Sequence, residues 1–166
     1  MTALRAVLLS ACVALLAACG QGSATPGNTT ALTEANVREL IEKVEASSYT
    51  DQEREVMDPA LSDDFRVTFH SPGQPDESMD KQEYAQDVEG MEDVQYAYKI
   101  GKVRVAPDGK SATVDLSISE AFEDEGTLYA STADQVYRVE LRNGHPMIVA
   151  LESNETSFSI DGEKQY

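Results

Sequence analysis

From residue 32 onward the apolar positions change period several times, and each change predicts an element. Val37, Leu40, Ile41 and Val44 fall at i, i+3, i+4 and i+7, the stripe of one helical face. Arg38, Glu39, Glu42 and Lys43 take the opposite face. Thr33 is the predicted N-cap, with Leu32 and Val37 forming a hydrophobic staple. The helix is expected to end near Ser47. A shorter helix is predicted over Asp51 to Met57, with Pro59 stopping it. Phe65, Val67 and Phe69 then alternate with Arg66, Thr68 and His70, the period of a strand buried on one face. A polar loop from Ser71 to Ser78 leads to a helix over Lys81 to Glu89. Asp80 and Glu83 give that helix a capping box, Met79 and Tyr84 a staple, and Gly90 a stop.

The rest of the chain reads as strands. Val94, Tyr96, Tyr98 and Ile100 alternate on even positions, then Val103 and Val105 on odd ones. The slip beside Gly101 predicts a β-bulge within the strand Val94 to Val105. Pro107-Asp108-Gly109 is a turn. Ala112 to Phe122 follows, with Val114, Leu116 and Ile118 on one face, and Glu123 to Gly126 turns the chain. Leu128 to Leu141 is the third long strand, and Asn143-Gly144 is a strong hairpin signal. Met147 to Leu151 is the fourth, with Thr156 to Ile160 extending it. Residues 159–166 are polar and predicted to be a loose tail. Helices first, then a meander of long strands, is an α+β order.

The N-terminus follows a different pattern. An apolar run of 13 residues, Ala6 to Ala18, stands behind a single charged side chain, Arg5. That length suits a signal peptide, about 7–15 residues, and falls short of the ~20 that span a bilayer. The run ends in Leu16-Ala17-Ala18-Cys19, which resembles the lipobox of bacterial lipoproteins. The resemblance implies cleavage between Ala18 and Cys19 and lipid attached to Cys19. Two or three acyl chains suffice for stable anchoring. Gly20 follows the cysteine, where an Asp would be the usual inner-membrane retention signal. The expected location is therefore the outer membrane, facing the periplasm. Residues 19–31 are rich in Gly, Ser, Thr and Pro and read as a flexible tether. The expected organisation is a signal peptide (1–18), the tether (19–31), one domain (32–158) and the tail (159–166).

Charge narrows the partners. The net charge is −17, from 30 acidic and 13 basic residues. Such a surface repels phosphates, so nucleic acid is not an expected partner, and it repels anionic headgroups, so membrane attachment must come from the lipid. Cys12 lies in the discarded run, leaving Cys19 and no intramolecular disulfide.

The element order, together with Leu61-Ser62-Asp63-Asp64-Phe65 leading into a strand, the helix opening Met79-Asp80-Lys81-Gln82-Glu83-Tyr84 and the hairpin from Val136-Tyr137-Arg138-Val139 to Ile148-Val149-Ala150-Leu151, resembles the NTF2-like superfamily. That group includes SnoaL-like proteins and ketosteroid isomerases. The resemblance implies a cystatin-like curved antiparallel sheet wrapped on N-terminal helices, often with a pocket in the cone, and dimerisation through the open sheet face. It covers about residues 32–153 and leaves function open, because the superfamily holds enzymes, binding modules and interaction domains.

Candidate chemistry is sparse. His70, ending the first strand, and Asp134, interrupting the third, are the candidate catalytic residues; His70 reads more readily as a surface group, and Asp134 could face either way. His145 is a turn residue, and Asp115, between Val114 and Leu116, faces solvent. Tyr96, Tyr98, Tyr129 and Tyr137 read as core tyrosines with wet hydroxyls. Asp63-Asp64 and Glu123-Asp124-Glu125 lack the calcium-loop pattern, no His/Cys spacing suits zinc, and no phosphate loop or nucleophile elbow is present. No metal or cofactor is expected. The reading is a membrane-anchored domain that binds a partner protein or small apolar ligand and catalyses nothing. The alternatives are a small-molecule isomerase, dehydratase or hydrolase, and a structural envelope protein.

Overall fold

The computed structural model describes residues 29–50, 52–89 and 93–166. The signal peptide, Cys19, most of the tether, the expected helix start at Asp51 and the stop at Gly90 lie outside these residues. The described residues form α1 (Glu34–Ser47), α2 (Glu53–Ala60), β1 (Leu61–His70), β2 (Glu77–Asp80), α3 (Lys81–Glu89), β3 (Gln95–Val105), β4 (Ser111–Asp124), β5 (Thr127–Arg142), β6 (His145–Ile160) and β7 (Glu163–Lys164).

The helix signals act as their residue types require. Thr33 caps α1: its hydroxyl accepts from the Asn36 amide at 3.2 Å while the Asn36 side chain accepts from the Thr33 amide at 2.8 Å. At α3 the reciprocal pair is Asp80 and Glu83, at 2.9 and 3.0 Å. Each arrangement satisfies donors that a helix start leaves open. Pro59 does not stop α2 but sits in its last turn. It costs one backbone bond there, and Leu61 leaves directly into β1.

The strands run in the order β2-β1-β6-β5-β4-β3, with β7 on β6. The sheet is mixed rather than wholly antiparallel, because β1 and β6 pair in parallel. The register between β3 and β4 slips between Ile100 and Val103, at the expected bulge. Only glycine fits comfortably at its centre: a Cβ on Gly101 would lie 3.1 Å from the Asp115 carbonyl oxygen. Two further slips, at Thr132/Ala133 and Arg138/Val139, bend β5 and β6. Bulges of this kind increase twist and curvature.

Two expectations are corrected. The loop after β1 contains β2, which pairs with β1 from Arg66↔Asp80 to Phe69↔Glu77. The C-terminal residues are not a loose tail. Asp161 and Gly162 have φ of 50° and 78°, the twin positive values of a tight hairpin turn, and they return Glu163 and Lys164 onto Ile160 and Ser159. Asp-Gly is a hairpin signal in its own right.

The three helices lie on one face of the sheet. Val37, Ile41 and Val44 of α1, Met57 of α2 and Phe65 and Val67 of β1 pack there against Val114, Tyr137, Val139, Ile148 and Leu151, all nearly inaccessible. The helices cover only part of that face. Strands β4, β5 and β6 are 14, 16 and 16 residues long, and their far halves carry inner-face side chains that are half-buried or exposed.

Candidate functional site

Val37, Ile41 and Glu45 follow one another at four-residue spacing, so the apolar stripe of α1 continues into an acid. Glu45 is 2% exposed. A carboxyl buried to that degree needs partners for both oxygens. They come from two strands of the same inner face. The Tyr137 hydroxyl of β5 donates to Oε1 at 2.5 Å, and the Tyr96 hydroxyl of β3 donates to Oε2.

A second acid lies farther along the same face. Glu120 alternates with Leu116 and Ile118 on β4, and its register partners are Tyr96 and Ser131. Its oxygens accept from Tyr49 at 2.9 Å and from Ser131 at 3.0 Å. Tyr49 follows α1 in the left-handed region, φ 59°, where the Glu53 side chain accepts its amide at 3.0 Å. That conformation, rare for a bulky residue, turns the ring onto Tyr96, with centroids 5.1 Å apart and planes at 67°. Tyr98 extends the row at 6.1 Å from Tyr96 and is 36% exposed. The inner face thus holds Glu45, Glu53 and Glu120 among Tyr49, Tyr84, Tyr96, Tyr98 and Tyr137, grading from sealed at Glu45 to open at Tyr98.

Burial pushes the Glu45 carboxyl above its ordinary value, partly offset by the bonds from Tyr137 and Tyr96. Glu53 is raised by burial and, more weakly, by the Glu45 charge, with the Tyr49 amide acting against both. The phenols of Tyr49, Tyr84, Tyr96 and Tyr137 are all raised, chiefly by burial and then by the carboxylates around them. They therefore act as hydroxyl donors across the accessible pH range.

The Glu45 shift has a testable consequence. A raised carboxyl pKa means that the folded chain holds more protons than the unfolded chain between about 4.5 and the folded value. Stability from this group is complete below about pH 4.5 and falls as pH rises through that window. Asp64 and Asp115, both lowered by bonds from arginines, act with the opposite sign below about 3.8 and do not confuse the comparison. Denaturation midpoints measured from pH 4 to 8 should decline more steeply for the wild type than for Glu45→Gln. Parallel curves would contradict the assignment.

The structure separates the residues singled out from sequence. His70 lies on the outer face, with its Nδ1 2.9 Å from Asp76. Asp134 is also on the outer face and accepts from Ser117 at 2.9 Å. Neither reaches the Glu45 cluster. Asp115 is held by two bonds from Arg104, each 2.6 Å, His145 is exposed at the β5–β6 turn, and Asp64 pairs with Arg142. A cleft of about 720 Å³ beside α2, β1 and α3 includes Arg54, Asp58, Asp63, Arg66, Asp80 and Lys81. Within it Lys81 donates to the carbonyls of Asp58 and Leu61 at 2.7 and 3.0 Å. Among the described residues no group of three or more His, Cys, Asp or Glu could hold a metal ion, and no helix is long and apolar enough to cross a membrane.

Glu45 and Glu120 were legible as anomalies of pattern, an acid at i+4 from Ile41 and an acid in phase with Leu116 and Ile118. Their convergence was not, because it depends on how the sheet bends α1 and β3 toward β5.

No protein-family model and no curated protein sequence matches the chain. Solved structures do. An NTF2-like protein of unknown function from Silicibacter pomeroyi superposes with a TM-score of 0.56 at 16% identity, covering 73% of this chain and 93% of its own. A ketosteroid isomerase-like protein from Erwinia carotovora gives 0.57 at 17%, covering 74% and 95%. A hexachlorocyclohexane dehydrochlorinase from Novosphingobium barchaimii gives 0.56 at 10%, covering 76% and 88%. The fold is NTF2-like.

Proposed function

We propose that this chain is a lipid-anchored envelope protein whose NTF2-like domain binds a small organic ligand on the open, tyrosine-lined part of its inner face, without chemistry. One observation carries the binding reading. Both oxygens of Glu45, the sealed acid, are occupied by phenols of the protein itself, whereas the row from Tyr96 to Tyr98 and Glu120 runs out toward solvent. A general base must be within reach of the substrate proton, and Glu45 is 2% exposed behind those two phenols. Aromatic faces with a few polar groups at an open edge instead suit ligand capture. The anchor rests on the sequence Leu16-Ala17-Ala18-Cys19.

The second reading is an enzyme that transfers a proton through Glu45. It is favoured by the raised pKa of that carboxyl and by the fold shared with a ketosteroid isomerase-like protein and a dehydrochlorinase.

The test uses the full chain produced in a Gram-negative host. Its mass should show loss of residues 1–18 and gain of lipid, and Cys19→Ser should retain the unprocessed mass. A thermal-shift screen of small aromatic and aliphatic compounds should give hits that vanish in Tyr98→Ala. Turnover of any hit that is abolished by Glu45→Gln would replace binding by catalysis.

A further inference from the structure

We infer that the ligand of this inner face is a protonated organic amine, seated between the Tyr49–Tyr96–Tyr98 rings and Glu120 with its N–H groups directed at Gln135. This rests on the binding reading above and names the ligand class.

Three features converge on it. The first is charge without counter-charge. Glu45 of α1, Glu53 of α2 and Glu120 of β4 face the same space, with Tyr49, Tyr84 of α3, Tyr96 of β3 and Tyr137 of β5 between them. The groups that perturb Glu53 and these phenols are other carboxylates, phenols and the Tyr49 amide; no lysine, arginine or histidine is among them. Arg104 of β3 is held by Asp115, a carboxyl that also feels Lys102, and Arg38 of α1 donates to the Gly101 carbonyl at 3.2 Å. A cation entering this space relieves mutual repulsion, whereas an anion adds to it.

The second feature is an unpartnered acceptor. Gln135 is 7% exposed. Its Nε2 donates to Ser153 at 3.2 Å, but Oε1 has no hydrogen-bond partner. A buried amide oxygen left unpaired keeps its desolvation cost without a compensating bond, so it marks where a donor belongs. Gln135 alternates on β5 between Tyr137, which bonds Glu45, and Ser131, which bonds Glu120. By strand position, Gln135 therefore stands on the inner face between the two residues of β5 that bond the acids. The polarity matters: the missing partner is a donor, as an ammonium supplies.

The third is the aromatic wall. Tyr49, Tyr96 and Tyr98 present adjacent faces and edges within 5.1 and 6.1 Å of one another. Tyrosine faces attract cations through the ring quadrupole, most strongly where water is thinned. Rings, carboxylates and a carbonyl oxygen together match an alkyl- or aralkyl-ammonium ion. They match a neutral ligand less well, since it would bring no counter-charge to the three acids.

The experiment titrates the full-length chain in detergent with phenethylammonium, with 2-phenylethanol as the neutral isostere and 3-phenylpropionate as the anionic one. Phenethylammonium should bind at least about tenfold more tightly than the alcohol, and the carboxylate should not bind. Glu120→Gln should remove most of that preference, and Gln135→Leu should weaken phenethylammonium more than its N,N,N-trimethyl analogue, which has no N–H. Equal binding of ammonium and alcohol overturns the amine assignment while leaving a ligand site. Absence of ammonium binding overturns it as well, and the screen with Tyr98→Ala then decides separately whether the face binds anything.

Discussion

Glu45→Ala is expected to destabilise the chain by about 2–4 kcal/mol at neutral pH, measured by urea unfolding. The Tyr137 and Tyr96 hydroxyls would both lose their acceptor, and each unsatisfied buried hydroxyl costs about 1–3 kcal/mol. The side chain also fills space, being 2% exposed beside Ile41 and Val44. Against this, removing the acid removes its desolvation cost, which is why the expected loss stays below the simple sum. Glu45→Gln retains volume and an acceptor and should cost only about 1 kcal/mol. Tyr137→Phe and Glu45→Ala should be non-additive by at least about 0.5 kcal/mol, since they share one bond. A neutral or stabilising Glu45→Ala would mean that the acid is buried for some purpose other than holding β3, β5 and α1 together.

The second large effect is expected at Phe65→Ala, about 3–5 kcal/mol. Phe65 is 1% exposed and opens the stretch of β1 that joins β6 in parallel. Its ring lies 5.7 Å from that of Tyr84, tilted by 44°. Truncation forfeits transfer free energy and leaves a cavity between β1 and α3, where neighbours close only partly. Tyr84 borders the acid cluster, so the same variant should also weaken ligand capture. Phe65→Leu, which retains most of the volume, should recover the larger part of both. The check is the unfolding free energy of the two variants. A loss below about 1 kcal/mol for alanine would place Phe65 outside the core.

Much of this architecture can be read from periodicity, and the failures have physical causes. The α1 stripe with its Thr33 N-cap, the Asp80–Glu83 capping box, the slip at Gly101 and the Asn143-Gly144 turn are local devices, written within a few residues, and each is found where the pattern puts it. The parallel joint of β1 with β6 is not local: residues 66 and 150 meet through the topology, and no window of sequence holds both. Strand β2 was hidden because Glu77, Ser78 and Asp80 are polar edge residues with no alternation to detect. The returning strand β7 was signalled by Asp161-Gly162, but polar flanks masked it. The inner-face site was the least legible. His70 was a candidate from its place at the end of a strand, yet it lies on the outer face with Asp76. The acids that face inward looked ordinary in a chain with 30 of them. Only their phase against neighbouring apolar residues set Glu45 and Glu120 apart.

The central claim is that the inner face between Glu45 and Tyr98 captures an organic ammonium ion. The chain's seven tyrosines allow a direct test. Tyr49, Tyr96 and Tyr98 line the open row, whereas Tyr129 and Tyr166 belong to a separate stack with Phe122 and Phe158. With tyrosine rings labelled with carbon-13 in the full-length chain, NMR spectra followed during a phenethylammonium titration report each ring separately. The account predicts saturable shifts of Tyr49, Tyr96 and Tyr98, with Tyr129 and Tyr166 unmoved. Shifts confined to Tyr129 and Tyr166, or no saturable shift at any ring, would contradict it.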